Sequence, residues 1–417
     1  MRTKSILFLA FLACTQLVRA DDLTVSGFGT LGYSHEGQDR IGFMRNATQP
    51  VSTSTNGSFL SDSSLGLQLN YSPVPQFEAV AQIVARDKQN MSFGNSVEWA
   101  FLAWHPNEAV DLRAGRMGLD IFLLSDYRNL GFAQPWVRPP TEFYGWIPFF
   151  SINGADAAYN FRSGDTRWRI KAQVGNSSSD IPLDSSNAFR FKADNIRDIT
   201  VQAERGPWQF KAGYSAFTAG SQPANFTPVN NGLASIAGNP FAPPAIRNEA
   251  ANLNSGFWLQ GADVRYGSVG VIYDDSTWLM QGEFAHISSD SRMLPTGNTG
   301  YATVGRRFGM LMPYLSLASF KPNENAVVPV NNWSPLGANA AMLQNTAVAA
   351  YNNFHIDQHT TTLGLRWDFD SRAALKVQWD RSKIGARGYG LWQVNNLVDG
   401  NNSQKVDLLS ISVDFVF

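Results

Sequence analysis

Apolar and polar residues alternate with a period of two along most of the chain. Trp208, Phe210, Ala212, Tyr214 and Ala216 fall on one face of a segment whose other face is Gln209, Lys211, Gly213 and Ser215. Trp168, Ile170, Ala172 and Val174 stand opposite Arg167, Arg169, Lys171 and Gln173. Thr361, Leu363, Leu365 and Trp367 likewise alternate with Thr362, Gly364, Arg366 and Asp368, and Ala373, Leu375, Val377 and Trp379 with Lys376, Gln378 and Asp380. Successive side chains of a strand point to opposite sides of its sheet, so each segment predicts a strand with one apolar and one charged face. About sixteen such segments can be counted between turn signals.

The connections between them alternate in length. The short ones are Pro73-Val74-Pro75, Pro106-Asn107-Glu108, Ser163-Gly164-Asp165, Gly206-Pro207, Asp274-Asp275-Ser276, Phe308-Gly309-Met310 and Asp370-Ser371-Arg372. Between these lie long ones: His35 to Asp62, Asp87 to Asn95, Gly118 to Asn153, Gly175 to Asn195, Thr218 to Ser255, Ser288 to Asn298, Lys321 to Asp357 and Ser382 to Asn402. The pattern predicts an all-β fold, a transmembrane antiparallel up-and-down β-barrel with tight turns at one end and long loops at the other. A soluble β-sandwich would also separate polar from apolar faces, but its connections are normally shorter and less lopsided. An Arg or Lys facing hydrocarbon at the bilayer midplane costs about 2 to 4 kcal/mol, so confining charge to one face matters most when the other face meets lipid. Tyr71, Phe77, Tyr273, Trp278 and Trp367 sit where strands meet short turns, which suits the lipid–water boundary.

The most informative connection runs from Gly118 to Asn153. It is too long for a hairpin turn, is rich in aromatic residues, contains Pro139-Pro140, and mixes Asp120, Asp126 and Glu142 with Arg128 and Arg138. A long loop with this much apolar bulk requires something to pack against. Its flanking strands, Val110 to Met117 and Gly154 to Arg162, alternate, so the loop is expected to fold into a polar-lined cavity. Among the other long connections, Thr218 to Ser255 is rich in Asn, Ala and Pro, and Asn339 to Tyr351 has helix formers and few breakers, predicting a short helix over the barrel mouth.

Composition narrows the picture further. Arg2 and Lys4, the apolar run Ile6 to Ala13 and the small-residue site Val18-Arg19-Ala20 read as a signal peptide over residues 1–20, leaving 21–417 as the barrel. A lipid anchor at Cys14 is the rival reading, and Phe11 fits it poorly. Cys14 is the one cysteine, so the exported chain has neither disulfides nor thiolate chemistry. A formal net charge of −1 gives no reason to expect a nucleic acid partner. Beyond the N-terminal run, no stretch approaches the roughly 18 apolar residues of a membrane helix, so a membrane would be crossed by strands.

The final strand, Val406 to Phe417, sends Leu409, Ile411, Val413, Phe415 and Phe417 to one face and ends on a phenylalanine. With the opening strand LTVSGFGTLGYS (Leu23 to Ser34), the run LRAGRMGLDIFLLSDYRNLGFAQPWVRPPTEFYG (Leu112 to Gly145), NGAD (Asn153 to Asp156) and YDDSTWLMQGEF (Tyr273 to Phe284), the chain resembles the Gram-negative outer-membrane porin superfamily, in particular its sixteen-stranded, trimer-forming types. The resemblance spans essentially all of residues 21–417, and its middle run is the most specific part. It implies a water-filled channel for passive diffusion of small hydrophilic solutes and ions. Gly118 to Asn153 would be the third external loop, folded inward as the constriction. Its Asp120, Asp126 and Glu142 would face wall residues Arg113, Arg116, Arg167, Arg169 and Lys171. Phe417 would be the signal read by the barrel assembly machinery. The implied partners are outer-membrane lipids, solutes and two further copies in a homotrimer; no cofactor is implied.

Nucleophile elbows, paired metal-ligand histidines and phosphate loops are absent from the sequence. His35, His105, His286, His355 and His359 are scattered. His286 near Ser288 and Asp290 is the one grouping an outer-membrane barrel enzyme could use. Three functions thus remain in view: a passive porin, a substrate-selective channel or receptor, and a barrel enzyme.

Overall fold

The computed structural model describes residues 22–37, 41–50, 57–183, 187–394 and 399–417. Residues 1–20, read as a signal peptide, lie outside the described residues, and Cys14 with them. The first strands are β1 (Leu23–Glu36), β2 (Ile41–Phe43), β3 (Ser64–Val74), β4 (Phe77–Arg86), β5 (Val97–Asn107) and β6 (Val110–Gly118). There follow β7 (Ser151–Ser163), β8 (Thr166–Pro182), β9 (Ala188–Arg205), β10 (Trp208–Ala219), β11 (Asp263–Asp274) and β12 (Trp278–Ser289). The chain ends with β13 (Gly297–Arg306), β14 (Leu311–Pro322), β15 (Ile356–Asp370), β16 (Ala373–Tyr389), β17 (Trp392–Val394) and β18 (Gln404–Val416). Each barrel strand pairs antiparallel with its neighbours, and β1 closes onto β18, leaving no open edge. β2 and β17 pair with each other in a separate two-stranded sheet, so the wall has sixteen strands.

Turn chemistry and terminal contacts explain the closure. Gly164 and Gly206 occupy the left-handed region, at φ 58° and 55°, in two of the short turns, where a Cβ would strain the backbone. At the seam, Gly27 N donates to Phe417 O at 2.8 Å and Phe417 N to Gly27 O at 2.9 Å. The rings of Phe415 and Phe417 lie over Gly29 and Gly27; a Cβ on Gly27 would meet the Phe417 ring at 2.2 Å.

The wall is inverted relative to a water-soluble sheet. Leu102, Ile199, Val269 and Leu317 point outward and are more than half exposed, while Thr200, Gln378, Lys376 and Asp414 point inward and are buried. Lys376 and Asp414 pair at 3.0 Å with neither side chain accessible. Exposed apolar area on this scale is unfavourable in water by roughly 25 cal/mol per Å², and a hydrocarbon surround removes that cost. Rings stack at the short-turn end, as in Phe77 with Trp104 at 6.4 Å and Phe161 with Trp168 at 6.1 Å, where an interfacial girdle belongs.

Two loop expectations need correction, and a third loop carries structure of its own. Gly175 to Asn195 reads as a loop, but β8 and β9 continue through it and stay paired as far as Pro182 and Ala188, with an irregularity between Gly175 and Ser177. β16 similarly extends to Tyr389. Past the lipid, the outer face of a strand has no reason to be apolar, so the sequence signal fades while the hydrogen-bonded ladder persists. Thr218 to Ser255 contains two helices. Numbered with the short α1 (Phe93–Ser96) and α2 (Thr141–Tyr144), these are α3 (Phe226–Gly238) and α4 (Pro244–Gly256), the latter started by its proline at the first turn.

The helix expected over Asn339 to Tyr351 is α5 (Ala338–Asn352), and it joins α3 and α4 into a cap. Phe226, Phe257 and Tyr351 pack ring to ring at 4.6 and 5.4 Å, and Tyr351 donates to Leu253 O at 2.6 Å. Glu249 ties the two long loops together by accepting from Val330 N, Asn331 N, Trp333 Nε1 and Gln344 Nε2 at 2.8 to 3.1 Å. Burial pushes the Glu249 carboxyl up, but these donors outweigh it and hold the group below its ordinary range.

Candidate functional site

The segment between β6 and β7 is built around aromatic residues. Two short 3-10 turns, Ser125–Tyr127 and Gly131–Ala133, and the single turn α2 fold it back on itself. Phe122, Phe143 and Tyr144 then meet at ring separations of 4.9 to 5.8 Å. Wall tyrosines complete the cluster: Tyr301 of β13 lies 5.4 Å from Phe143 and 5.7 Å from Trp136, and Tyr266 of β11 lies 6.1 Å from Phe122. Phe122, Trp136 and Phe143 are almost completely buried.

Polar bonds attach this cluster to the inner face of the wall around much of its circumference. Asp120 pairs with Lys171 of β8 at 2.9 Å and with Lys211 of β10, and its amide donates to Gln173 at 2.9 Å. The Leu123 amide donates to Glu283 of β12 at 2.8 Å, and Tyr144 Oη bonds the same carboxylate. Trp136 Nε1 donates to Thr303 of β13 at 3.2 Å. Arg138 reaches Asp62 at 2.6 Å, Asp380 of β16 at 2.9 Å and Ser410 of β18. Lys376 Nζ donates to the carbonyls of Gly131 and Trp136 at 2.7 and 2.8 Å. Burial alone would raise the Asp62 carboxyl; Arg138 and Arg45 more than offset it and hold it below the usual range.

The residues singled out from the sequence are distributed along the wall. Lys171 meets Asp120. Arg113 instead grips Asp156 through both Nε and Nη2, at 2.6 to 3.1 Å. Arg116 donates to Ser151 Oγ at 3.0 Å. Arg169 pairs with Asp111 at 3.0 Å, and Arg167 with Glu204 at 2.8 Å on an exposed part of the short-turn end. A strand rises about 3.4 Å per residue, so Arg167 and Lys171 stand roughly 14 Å apart along it, and one level of the basic strand meets the segment. Asp126 is exposed and forms no ion pair with a described residue. Glu142 is buried and accepts from Gln358 at 2.6 Å and from Thr360, away from the basic strand.

Sequence reading missed the partners. Lys211 and Arg138 are visible as charges, but Asp62 and Asp380 lie far from Arg138 in sequence, and only the closed register brings them together. The stacking of Arg86 and Arg128 on the Phe150 ring, at 3.7 and 3.9 Å, was equally invisible. His286 bonds Asn298 at 2.9 Å across the strand pair, and no bond joins it to Ser288 or Asp290. Among the described residues, no three His, Cys, Asp or Glu side chains are grouped to hold a metal ion.

On the long-loop side of the segment a cavity of about 690 Å³ opens below the helical cap. Beside the segment, spaces of about 20 to 50 Å³ are left.

No protein-family model matches the sequence, and no curated relative matches it. Solved structures do. OmpF of Salmonella typhi, solved with daunomycin, is 12% identical with a TM-score of 0.51, over 95% of this chain and 97% of that one. The outer-membrane channel DcaP of Acinetobacter baumannii is 12% identical with a TM-score of 0.49, over 96% and 99%. A mutant Rh. blastica porin is 12% identical with a TM-score of 0.46, over 95% and 100%. At this identity the likeness is one of fold: the chain has the closed sixteen-stranded architecture of a general porin.

Proposed function

We propose that the protein is an outer-membrane channel and that residues 119–150 are its constriction, an external loop folded into the lumen. One observation carries this reading: the segment is bonded at once to inner-face side chains of β8, β12, β16 and β18, which a loop outside the closed sheet could not reach together. The apolar outer surface supports residence in lipid, and the leader-like residues 1–20 support export, with both termini of the mature barrel at the periplasmic end. The polar inner face supports movement of small hydrophilic solutes and ions. The tight packing around the segment favours a narrow, selective path over a wide sieve. The pairing of His286 with Asn298 favours a channel over a barrel enzyme. A homotrimer is supported by Phe59, Leu60, Met91 and Phe93, large apolar side chains all more than half exposed on adjacent long loops.

The test is conductance of the purified barrel in planar bilayers. The parent is expected to give small, stable steps. A variant shortened between Leu123 and Phe149 should give clearly larger ones. Inserted parent protein without current would end the channel reading, and a folded, shortened barrel conducting no more than the parent would end the constriction reading.

A further inference from the structure

The cavity above the segment differs in chemistry from the wall below it. At Leu119-Asp120-Ile121 the chain alternates, sending Asp120 to Lys171 and Lys211 and leaving Leu119 and Ile121 to form the cavity floor. The extended ends of β9 and β10 contribute Phe191 and Phe217, and the returning limb of the segment contributes Trp146 and Phe149. Phe149 and Phe191 stack at 5.4 Å with ring planes 24° apart. Trp392 closes the opposite side, held by its Nε1 bond to Gln358 at 2.5 Å. A volume of about 690 Å³ lies within the roughly 300 to 1,000 Å³ of sites that enclose drug-sized ligands, which are typically apolar with a few placed polar groups.

Among the described residues lining this space, the sole charged residue is Arg387. Its backbone sits at φ 59°, in the left-handed region that non-glycine residues seldom occupy, next to the register shift between β15 and β16. Such outliers persist where the surroundings enforce them, often at ligand clamps. Its guanidinium donates to Val327 O at 3.3 Å and pairs with no carboxylate among the described residues. A buried cationic ligand would meet no counter-charge here, and a single carboxylate would meet one.

We infer that this cavity binds a small ring-bearing monocarboxylate, its body among the aromatic rings and its carboxylate on Arg387. The inference takes its purpose, solute capture before passage, from the channel reading, while binding itself can be measured without current.

The experiment uses the full mature barrel in lipid nanodiscs, titrated by calorimetry with 4-biphenylcarboxylate, the neutral 4-biphenylcarboxamide and the cationic 4-phenylbenzylamine. The carboxylate should bind saturably and at least about tenfold more tightly than the other two, about the effect of one charge-assisted contact. Arg387→Asn, whose side chain tolerates the left-handed backbone, should bring the carboxylate down to the amide's affinity and leave the amide unchanged. Phe191→Ala should weaken both by a similar factor, and gel mobility before and after heating shows whether either variant has folded. The inference is overturned if no probe saturates the parent, if the amide or amine binds as tightly as the acid, or if Arg387→Asn retains the preference. Conductance of the parent without probe tests the channel reading separately: a conducting barrel that binds no probe sinks this inference alone.

Discussion

The barrel wall and the segment between β6 and β7 distribute their side chains by opposite rules. In the wall, Leu317 and Val269 are exposed while Lys376 and Asp414 are buried. In the segment, Phe122, Trp136 and Phe143 are gathered inside and Asp120 and Arg138 reach outward to partners, as in a small soluble protein. The difference shows that two solvents shaped one chain: hydrocarbon outside the wall, and a polar inner surface around the segment. The two regions should therefore respond differently to the same kind of substitution.

The largest effect is expected where a buried charge of the segment is removed. Arg138→Ala leaves Asp380 buried without its cation and Asp62 with Arg45 alone, at 3.5 Å, and breaking such a pair from one side costs about 3 to 5 kcal/mol. Urea unfolding in lipid vesicles should show that loss, and single-channel records should become noisy as the segment loosens. Stability equal to the parent's would mean that Arg138 does not anchor it.

On the wall, the equivalent insult is a charge facing outward. Leu317→Arg, near the middle of β14, should cost about 2 to 4 kcal/mol in lipid. It should reduce the yield of barrel that resists unfolding in sample buffer before heating. Normal yield would argue that this face does not meet hydrocarbon.

The same contrast explains what could be read in advance. Wherever a strand lies in lipid, as at Trp208 to Ala216, the hydrocarbon forces strict alternation and the sequence displays it. Where β8 and β9 leave the lipid that constraint ends, and Asn176-Ser177-Ser178-Ser179 looks like a loop although it is strand. The segment's aromatic content predicted that it needs a surface to pack against. Which charges would meet was not legible, because Arg138 finds Asp62 and Asp380 through barrel closure and Lys171 finds Asp120 through a difference of height along one strand. α3 was hidden for another reason: its Asn-rich sequence has little helix preference, and packing of Phe226 and Leu233 holds it.

The cap offers a smaller and reversible test. Glu249 has a folded-state value below the ordinary 4.5, so its contribution is fully present above that pH and is lost as pH falls through the lowered value. Losing charge-assisted bonds of this kind costs about 1 to 3 kcal/mol. Limited proteolysis of the loops bearing α3, α4 and α5 should accelerate as pH falls below the ordinary carboxylate range while the barrel stays intact. Glu249→Gln should produce that susceptibility at pH 7. Cutting that ignores both would detach Glu249 from cap closure.

The smallest expected effects come from the outer reaches of the basic strand, and they separate a band of charge from a single contact. Replacing Arg167, Arg169 and Lys171 together by Gln should shift ion preference towards cations, because three positive charges leave the inner wall. The structure divides that shift unequally. Arg167 is an exposed partner of Glu204 near the short turns, and such a pair contributes about 0 to 1 kcal/mol and is screened by salt. Arg169 sits one level higher, against Asp111. Lys171 alone touches the segment, in a buried pair where charges act on one another more strongly than in bulk water. Arg167→Gln with Arg169→Gln should leave reversal potentials in a salt gradient nearly where the parent has them, whereas Lys171→Gln should produce most of the triple variant's shift. Equal shares from all three positions would mean that the whole basic strand, and not the level of Asp120, sets the preference.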